Sequence, residues 1–285
     1  MAEKINRNYK SSVFIDLFYE DETALGNDRA LVNALFEEPI SDDVEIKRVR
    51  VDDVLYKNFK NDISFSVGEK LLIFGEHQST INENMALRCL MYVSRAYESL
   101  IPIKARYKEA ITKLPTPEFY VFYNGEKPLE KEKYLRLSQS FMVNEKSPKL
   151  ELIVKVININ TSKSHEILEK CRIMKEYSLF VECVRKHNLS GEADSLEKAI
   201  KECIAKDILG DYLKRKGSEV VNMLIAEYDY EMDIQVKQEE AFERGIHAKQ
   251  MEVAKKLFAL HDDRQIAEII GLPLEQVASL RKESE

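Results

Sequence analysis

The sequence predicts an α/β fold: a sheet flanked by helices, continued by a helical C-terminal region. Three observations predict it. Up to about residue 164, runs of strand-like pattern alternate with helical stripes. From residue 165 onward the apolar spacing is helical throughout. Only nine Gly and seven Pro interrupt 285 residues, which favours regular elements joined by short connections. The division expected is a core over 1–164, a helical extension packed on it over 165–232, and a long amphipathic helix with a small terminal module over 233–285.

Residues 8–20 (NYKSSVFIDLFYE) set Val13, Phe14, Leu17 and Phe18 on one helical stripe. Asp28 is placed to cap a second helix, RALVNALFEE, which ends before Pro39. Residues 44–51 (VEIKRVRV) alternate as a strand, and NDISFSV (61–67) and KLLIFGEHQST (70–80) are two more. A helix from Asn84 to Leu100 comes next, with Asn82 or Asn84 as its cap. The strand EFYVFYNG (118–125) is fenced by Pro115 and Pro117 before it and by Gly125 and Pro128 after it. LELIVKVININ (150–160) is apolar enough for a central strand. Successive helices then gather around Leu179, Phe180, Val184, Ile200, Ile204, Val220, Met223 and Leu224. A charged amphipathic helix over roughly 233–260 precedes two short helices around Gly271.

Forty-three basic and fifty acidic side chains give a net charge of −7. That argues against a protein that coats duplex DNA through counterion release alone. It leaves room for local basic clusters, one of which runs through Lys104, Arg106, Lys108 and Lys113. The cysteines (Cys89, Cys171, Cys183, Cys203) form no CxxC pair, and the five histidines offer no familiar zinc spacing. They read as buried thiols in a reducing compartment. No apolar leader opens the chain and no run nears the length of a membrane span, so a cytoplasmic protein without a membrane partner is expected.

The informative segment is 61–80, NDISFSVGEKLLIFGEHQST. A three-residue loop at Gly68, Glu69 and Lys70 would pair Val67 with Leu71. Asp62 would then lie opposite Glu76, with Cβ atoms about 5 Å apart, close enough to share a cation. The same register gathers Ile63, Phe65, Val67, Leu71 and Ile73 on the other face. Gln78 would come after Glu76 on its face and His77 would point away. Two carboxylates and an amide suit Mg²⁺, with Mn²⁺ as a substitute, better than zinc. The plainer reading of such a pair is two surface acids or ion-pair partners.

The run from Asn61 to Arg88, NDISF…EHQSTINENMALR, is similar to the bacterial Rpn family of recombination-promoting nucleases, also described as PD-(D/E)XK nuclease family transposases. The likeness continues through LPTPEFYVFYNG (114–125), LRLSQSF (135–141), VININ (156–160) and EYSLFVE (176–182). It implies a restriction-endonuclease-like core, a mixed sheet with flanking helices in the order αβββαβ. It also implies metal-dependent cleavage of DNA in recombination or mobile-element activity. Asp62 and Glu76 would be the metal ligands, and Gln78 stands where the superfamily pattern has Lys. A neutral amide can hydrogen-bond a water but supplies no charge, so a neighbouring cation is sought in Lys10 or Arg88. Arg88 and Tyr92 lie one helical turn apart, either as phosphate and supporting contacts or as a snorkelling arginine over a core tyrosine. Asn158–Ile159–Asn160 reads as a turn closing the central strand.

In the C-terminal module, Ala267, Gly271 and Val277 have the spacing of a helix-turn-helix. Its second helix would offer Gln276, Ser279, Arg281 and Lys282 to a groove, opposed by Glu275, Glu283 and Glu285. A packing or dimerisation module is the preferred reading, with a homodimer through the C-terminal helices. The alternative function is a DNA-binding or assembly protein that keeps the nuclease fold with weak catalysis.

Overall fold

The computed structural model describes residues 13–49, 63–78, 81–188 and 194–282, with backbone alone for Ile63, 73–78 and 226–235. Two compact units make up the chain, Met1–Leu224 and Ile225–Glu285. The first holds α1 (Val13–Ile15), which runs into a π-helical turn (Asp16–Glu20), then α2 (Ala24–Leu35), β1 (Ile46–Arg48), β2 (Ile63–Val67) and β3 (Lys70–Gln78). It continues with α3 (Met85–Leu100), β4 (Thr116–Tyr123), β5 (Glu132–Arg136), β6 (Ile153–Asn158), α4 (Glu166–Lys170), α5 (Arg172–Asn188) and α6 (Ser195–Ala205). Helix α7 (Gly210–Leu257) spans the division, and α8 (Asp263–Ile270) and α9 (Leu274–Lys282) complete the second unit. The helix expected to begin near 233 is thus the second half of a 48-residue helix that no proline interrupts. None of the described helices is long and apolar enough to cross a membrane.

The fold is α/β, with a six-stranded mixed sheet in the order β1-β2-β3-β4-β6-β5. β1, β2 and β3 pair antiparallel, β3, β4 and β6 run parallel, and β5 returns antiparallel on β6. The strand β5 escapes the apolar pattern because it is an edge: of its residues only Leu135 is buried.

The β2–β3 hairpin departs from expectation. Val67 pairs with Lys70, so the turn is Gly68–Glu69, and Ser66 rather than Val67 faces Leu71. Gly68 takes a φ of +54°, which a residue at the first central position of such a tight turn needs and which Gly adopts at little cost. Lys70 belongs to the strand, and its ammonium pairs with Glu118 and lies 4.3 Å from the Phe36 ring centre. A slip of one residue moves side chains to opposite faces. Phe65, Val67 and Leu72 therefore share one face while Ser64, Ser66 and Leu71 share the other, in place of the single apolar face expected.

Both faces are covered. Leu71, Phe119, Val121, Tyr123, Leu135, Val154 and Val156 pack under Met85, Cys89, Tyr92, Val93 and Ala96 of α3. On the opposite face Phe122 meets Phe14, which also touches Phe18 and Tyr177. The stripe Val13, Phe14, Leu17 and Phe18 is buried as its spacing implied. All four cysteines are buried free thiols.

Asp28 does not cap α2. The helix starts at Ala24, and Asp21 Oδ1 accepts the Thr23 amide just before it at 3.0 Å. Asp28 sits fully buried inside the helix, one oxygen 3.2 Å from Arg48 of β1 and the other without a hydrogen-bond partner among the described residues. Burial pushes its carboxyl up to about 7 against the pull of Arg48. Asp16 and Asp21, also buried, bind the start of α7: Tyr212 and Lys216 donate to Asp16 at 2.6 and 2.9 Å, and Arg215 grips Asp21 through two bonds of 3.1 Å.

In the second unit Ala254, Ile266, Leu272, Val277 and Leu280 form a small core. Asp262 caps α8 reciprocally with Gln265, and Gly271 ends it at φ +71°. Arg281, which a helix-turn-helix would offer to a groove, is turned inward, in keeping with the preferred reading of a packing module. It donates to Asp263 at 2.5 Å and to the carbonyls of Phe258 and His261 at 2.7 Å each, with its guanidinium over the Phe258 ring. Its role is to lock the end of α7 to α8 and α9.

These contacts carry two expected outcomes. Between pH 3.8 and about 7 the folded chain keeps a proton on Asp28 that the unfolded chain has released, so that contribution to stability is lost as pH rises toward and through 7. In denaturant titrations at pH 5 and pH 8, the stability of wild type relative to Asp28→Asn should fall by roughly 2 kcal/mol toward the alkaline side. A difference that stays level would remove Asp28 from the account. Arg281→Ala should cost the terminal unit about 2 kcal/mol, read as faster hydrogen exchange in α8 and α9 with α3 unaltered.

Candidate active site

The three parallel strands end together. Gln78 of β3 pairs with Tyr123 of β4, and Tyr123 pairs with Asn158 of β6. In sheets of this kind the loops beyond the carboxyl ends of parallel strands are where ligands collect. The end of β3 is irregular: Gly75 pairs with Val121 and Gln78 with Tyr123, so β3 spends one residue more than β4 across this stretch. Such a bulge re-aims the residues beyond it, and simple alternation from Glu76 to Gln78 does not carry across.

Of the expected site residues, Asp62 and Lys10 lie outside the described residues, and the observed register, with Ile63 on Phe74 and Val67 on Lys70, is not the one from which Asp62 was expected opposite Glu76. Glu76 and Gln78 are the closing part of β3. Arg88 and Tyr92 are brought together on α3: the Tyr92 hydroxyl accepts from Arg88 Nε at 3.2 Å and from its NH2 at 3.0 Å. Tyr92 is 3% exposed and belongs to the core under α3, while Arg88 is half-buried. The reading of Tyr92 as a core residue is met, and its hydroxyl fixes the Arg88 guanidinium in the first turns of the helix after β3. The basic run Lys104, Arg106, Lys108 and Lys113 is exposed between α3 and β4. It precedes Thr116, which pairs with Lys70 at the start of β3. That is the far end of the sheet, roughly 25 Å from Gln78 at about 3.3 Å per residue.

Polar residues line the carboxyl ends, and of these the sequence left Asn124 and Arg185 aside. Asn158 is 1% exposed; it donates to the Leu129 carbonyl at 3.0 Å and accepts from the Asn160 backbone amide at 3.1 Å and side chain at 2.9 Å. Asn160 also donates to the Gly125 carbonyl at 3.0 Å. This is the turn read in Asn158–Ile159–Asn160, tied across to the end of β4. Asn124, 1% exposed, has a side-chain nitrogen with no hydrogen-bond partner among the described residues. Arg185 reaches from α5 to Asn124 Oδ1 at 3.4 Å and Asn160 Oδ1 at 3.5 Å. The half-buried guanidinium of Arg185 can hold an anionic oxygen at this edge, while the Asn124 amide lies beneath it. Only the NG dipeptide hinted at Asn124, and it reads as a turn. Nothing in the sequence links Arg185 to it, because α5 lies some sixty residues on.

A second cluster also went unread. Cys183 and His187 of α5 meet Glu202 of α6, with one potential ligand atom from each lying within 4.8 Å of the others.

The chain is thus an α/β protein with a polar edge at the ends of three parallel strands. Comparison with family models, with curated proteins and with solved structures finds no match to it.

Asn158→Ala would strand the Leu129 carbonyl and the Asn160 amide. A loss of about 2–3 kcal/mol in urea unfolding is expected, with the midpoint lowered and the slope unchanged.

Proposed function

We propose that the chain is a metal-dependent DNA endonuclease of the PD-(D/E)XK type, of the Rpn recombination-promoting kind, with Asp62 and Glu76 as metal ligands and Gln78 beside them. The observation that carries this reading is the order of elements. From α2 through β1, β2, β3, α3 and β4 the chain runs in the αβββαβ succession that the resemblance implies, with Glu76 and Gln78 closing the third strand.

The donor set fits a hard cation: two carboxylates and an amide oxygen are ligands for Mg²⁺ or Mn²⁺. When bound, such an ion would supply polarisation of a phosphodiester and a more acidic water. The chain's own residues do the rest. Asp62 and Glu76 hold the charge that attracts the ion. The Gln78 amide orients the attacking water in place of lysine. Arg88, held by the Tyr92 hydroxyl, offers the positive charge that Gln78 lacks. Arg185, held against Asn124, adds a donor for phosphate oxygens at the neighbouring strand ends. A homodimer through the C-terminal helices would cover Val236, Phe242 and Ile246, which stand exposed on α7.

Gln78 and the net charge of −7 favour a second reading, a DNA-binding or assembly protein of the same fold with weak catalysis. Supercoiled plasmid with Mg²⁺ separates the two. Wild type should nick it, Asp62→Ala and Glu76→Ala should be slower by about 100-fold or more, and all three should share one circular dichroism spectrum. Equal background from wild type and both variants would remove the nuclease, and retained DNA binding would then favour the second reading.

A further inference from the structure

The cluster between α5 and α6 is chemically unlike the carboxylate pair. Cys183 and His187 are four residues apart, hence on one face of α5, and Glu202 approaches from α6. We propose that Cys183, His187 and Glu202 form a binding site for a divalent cation of the zinc class, a clip that ties α5 to α6.

The donor set selects the ion. A thiolate, an imidazole and a carboxylate together favour Zn²⁺ and its neighbours over Mg²⁺ or Ca²⁺, which take oxygen. Distances are within reach of a bound state. The ligand atoms lie within 4.8 Å of one another, and tetrahedral zinc with bonds of about 2.0–2.3 Å holds its ligands roughly 3.3–3.8 Å apart. Side-chain rotation of about 1 Å closes the difference.

The surroundings hold the ligands ready. His187 Nε2 lies 2.6 Å from Glu202 Oε2, so the two already point at each other. The other Glu202 oxygen, Oε1, is taken by the Lys206 ammonium at 2.6 Å, which fixes the carboxylate and leaves Oε2 for the ion. Cys183 is 8% exposed, and the side chains of His187 and Glu202 are 23% and 26% exposed, so the cluster has a dry floor and one open side. That side provides the fourth position to water. Burial raises the Cys183 thiol, and the Cys203 thiol hydrogen-bonds it. The ion would bind the Cys183 thiolate, whose proton passes to solvent, and His187 Nε2, whose proton shared with Glu202 also passes to solvent while Nδ1 keeps its own. Sequence spacing concealed this site because two ligands come from one helix turn and the third from another helix.

The test uses the full-length chain, stripped of metal with EDTA under a phosphine reductant and titrated with Co²⁺. One equivalent should give a thiolate-to-cobalt charge-transfer band and the visible bands of four-coordinate cobalt, both abolished by one equivalent of Zn²⁺ and untouched by excess Mg²⁺. Cys183→Ser should lose the charge-transfer band. His187→Gln and Glu202→Gln, at the open side, should weaken Zn²⁺ binding by about tenfold or more with unchanged circular dichroism. Asp62→Ala should leave the cobalt spectrum as in wild type, which keeps this site separate from the proposed nuclease centre. Absence of the band in folded wild type would overturn the proposal. So would a band that survives Cys183→Ser, undiminished affinity in both surface variants, or a band lost in Asp62→Ala.

Discussion

The register of β3 is the constraint on which the rest of the first unit depends. This strand hydrogen-bonds antiparallel to β2 on one side and parallel to β4 on the other, and Leu71 and Leu72, one on each face, are fully buried. A strand so enclosed cannot slip, because a step of one residue would exchange Leu71 with Leu72 between two differently shaped cores. The Gly68–Glu69 turn sets that register from one end. The bulge after Gly75 resets it at the other, where the parallel strands finish.

The layers are built outward from this strand. α3 leaves the end of β3 and returns across one face, so that Tyr92 anchors the core and holds Arg88 with its hydroxyl. The other face is closed by α1 and by Tyr177 of α5 through aromatic contacts. Buried carboxylates then join elements distant in sequence. Asp16 and Asp21 receive Tyr212, Lys216 and Arg215 of α7, and Asp28 receives Arg48. Each is a charged group removed from water, tolerated because a partner or a retained proton offsets the desolvation.

At the carboxyl ends of the parallel strands polarity concentrates. Asn124, Asn158, Asn160 and Arg185 form a network in which the buried Asn124 amide nitrogen has no hydrogen-bond partner among the described residues. The network is tied by backbone carbonyls from loops, and it therefore depends on where those loops end. The α5–α6 cluster is of another kind, with sulfur and nitrogen ligands drawn from one helix and a carboxylate from the next.

The sequence by itself determined the class of fold and most elements, since periodicity and Gly/Pro placement are local. The stripe of Val13, Phe14, Leu17 and Phe18, the strands around 63–78, 118–123 and 153–158, the helix from 85 to 100 and the two short helices about Gly271 were all legible. It also supplied Asp62, Glu76 and Gln78 as candidates, through a resemblance carried by motif text. Tertiary structure alone decided the rest. The turn has two residues in place of three because Lys70 pairs with Val67 in the ladder, and Lys70 also meets Glu118, 48 positions away. Asp28 became a buried partner of Arg48 because α2 began earlier than its apolar run. Arg281 turned inward because carbonyls of the preceding turn lay within its reach. β5, Asn124, Arg185 and the Cys183–His187–Glu202 cluster had no local signature. Each is defined by a neighbour far along the chain, and pattern in one segment holds no record of what packs against it.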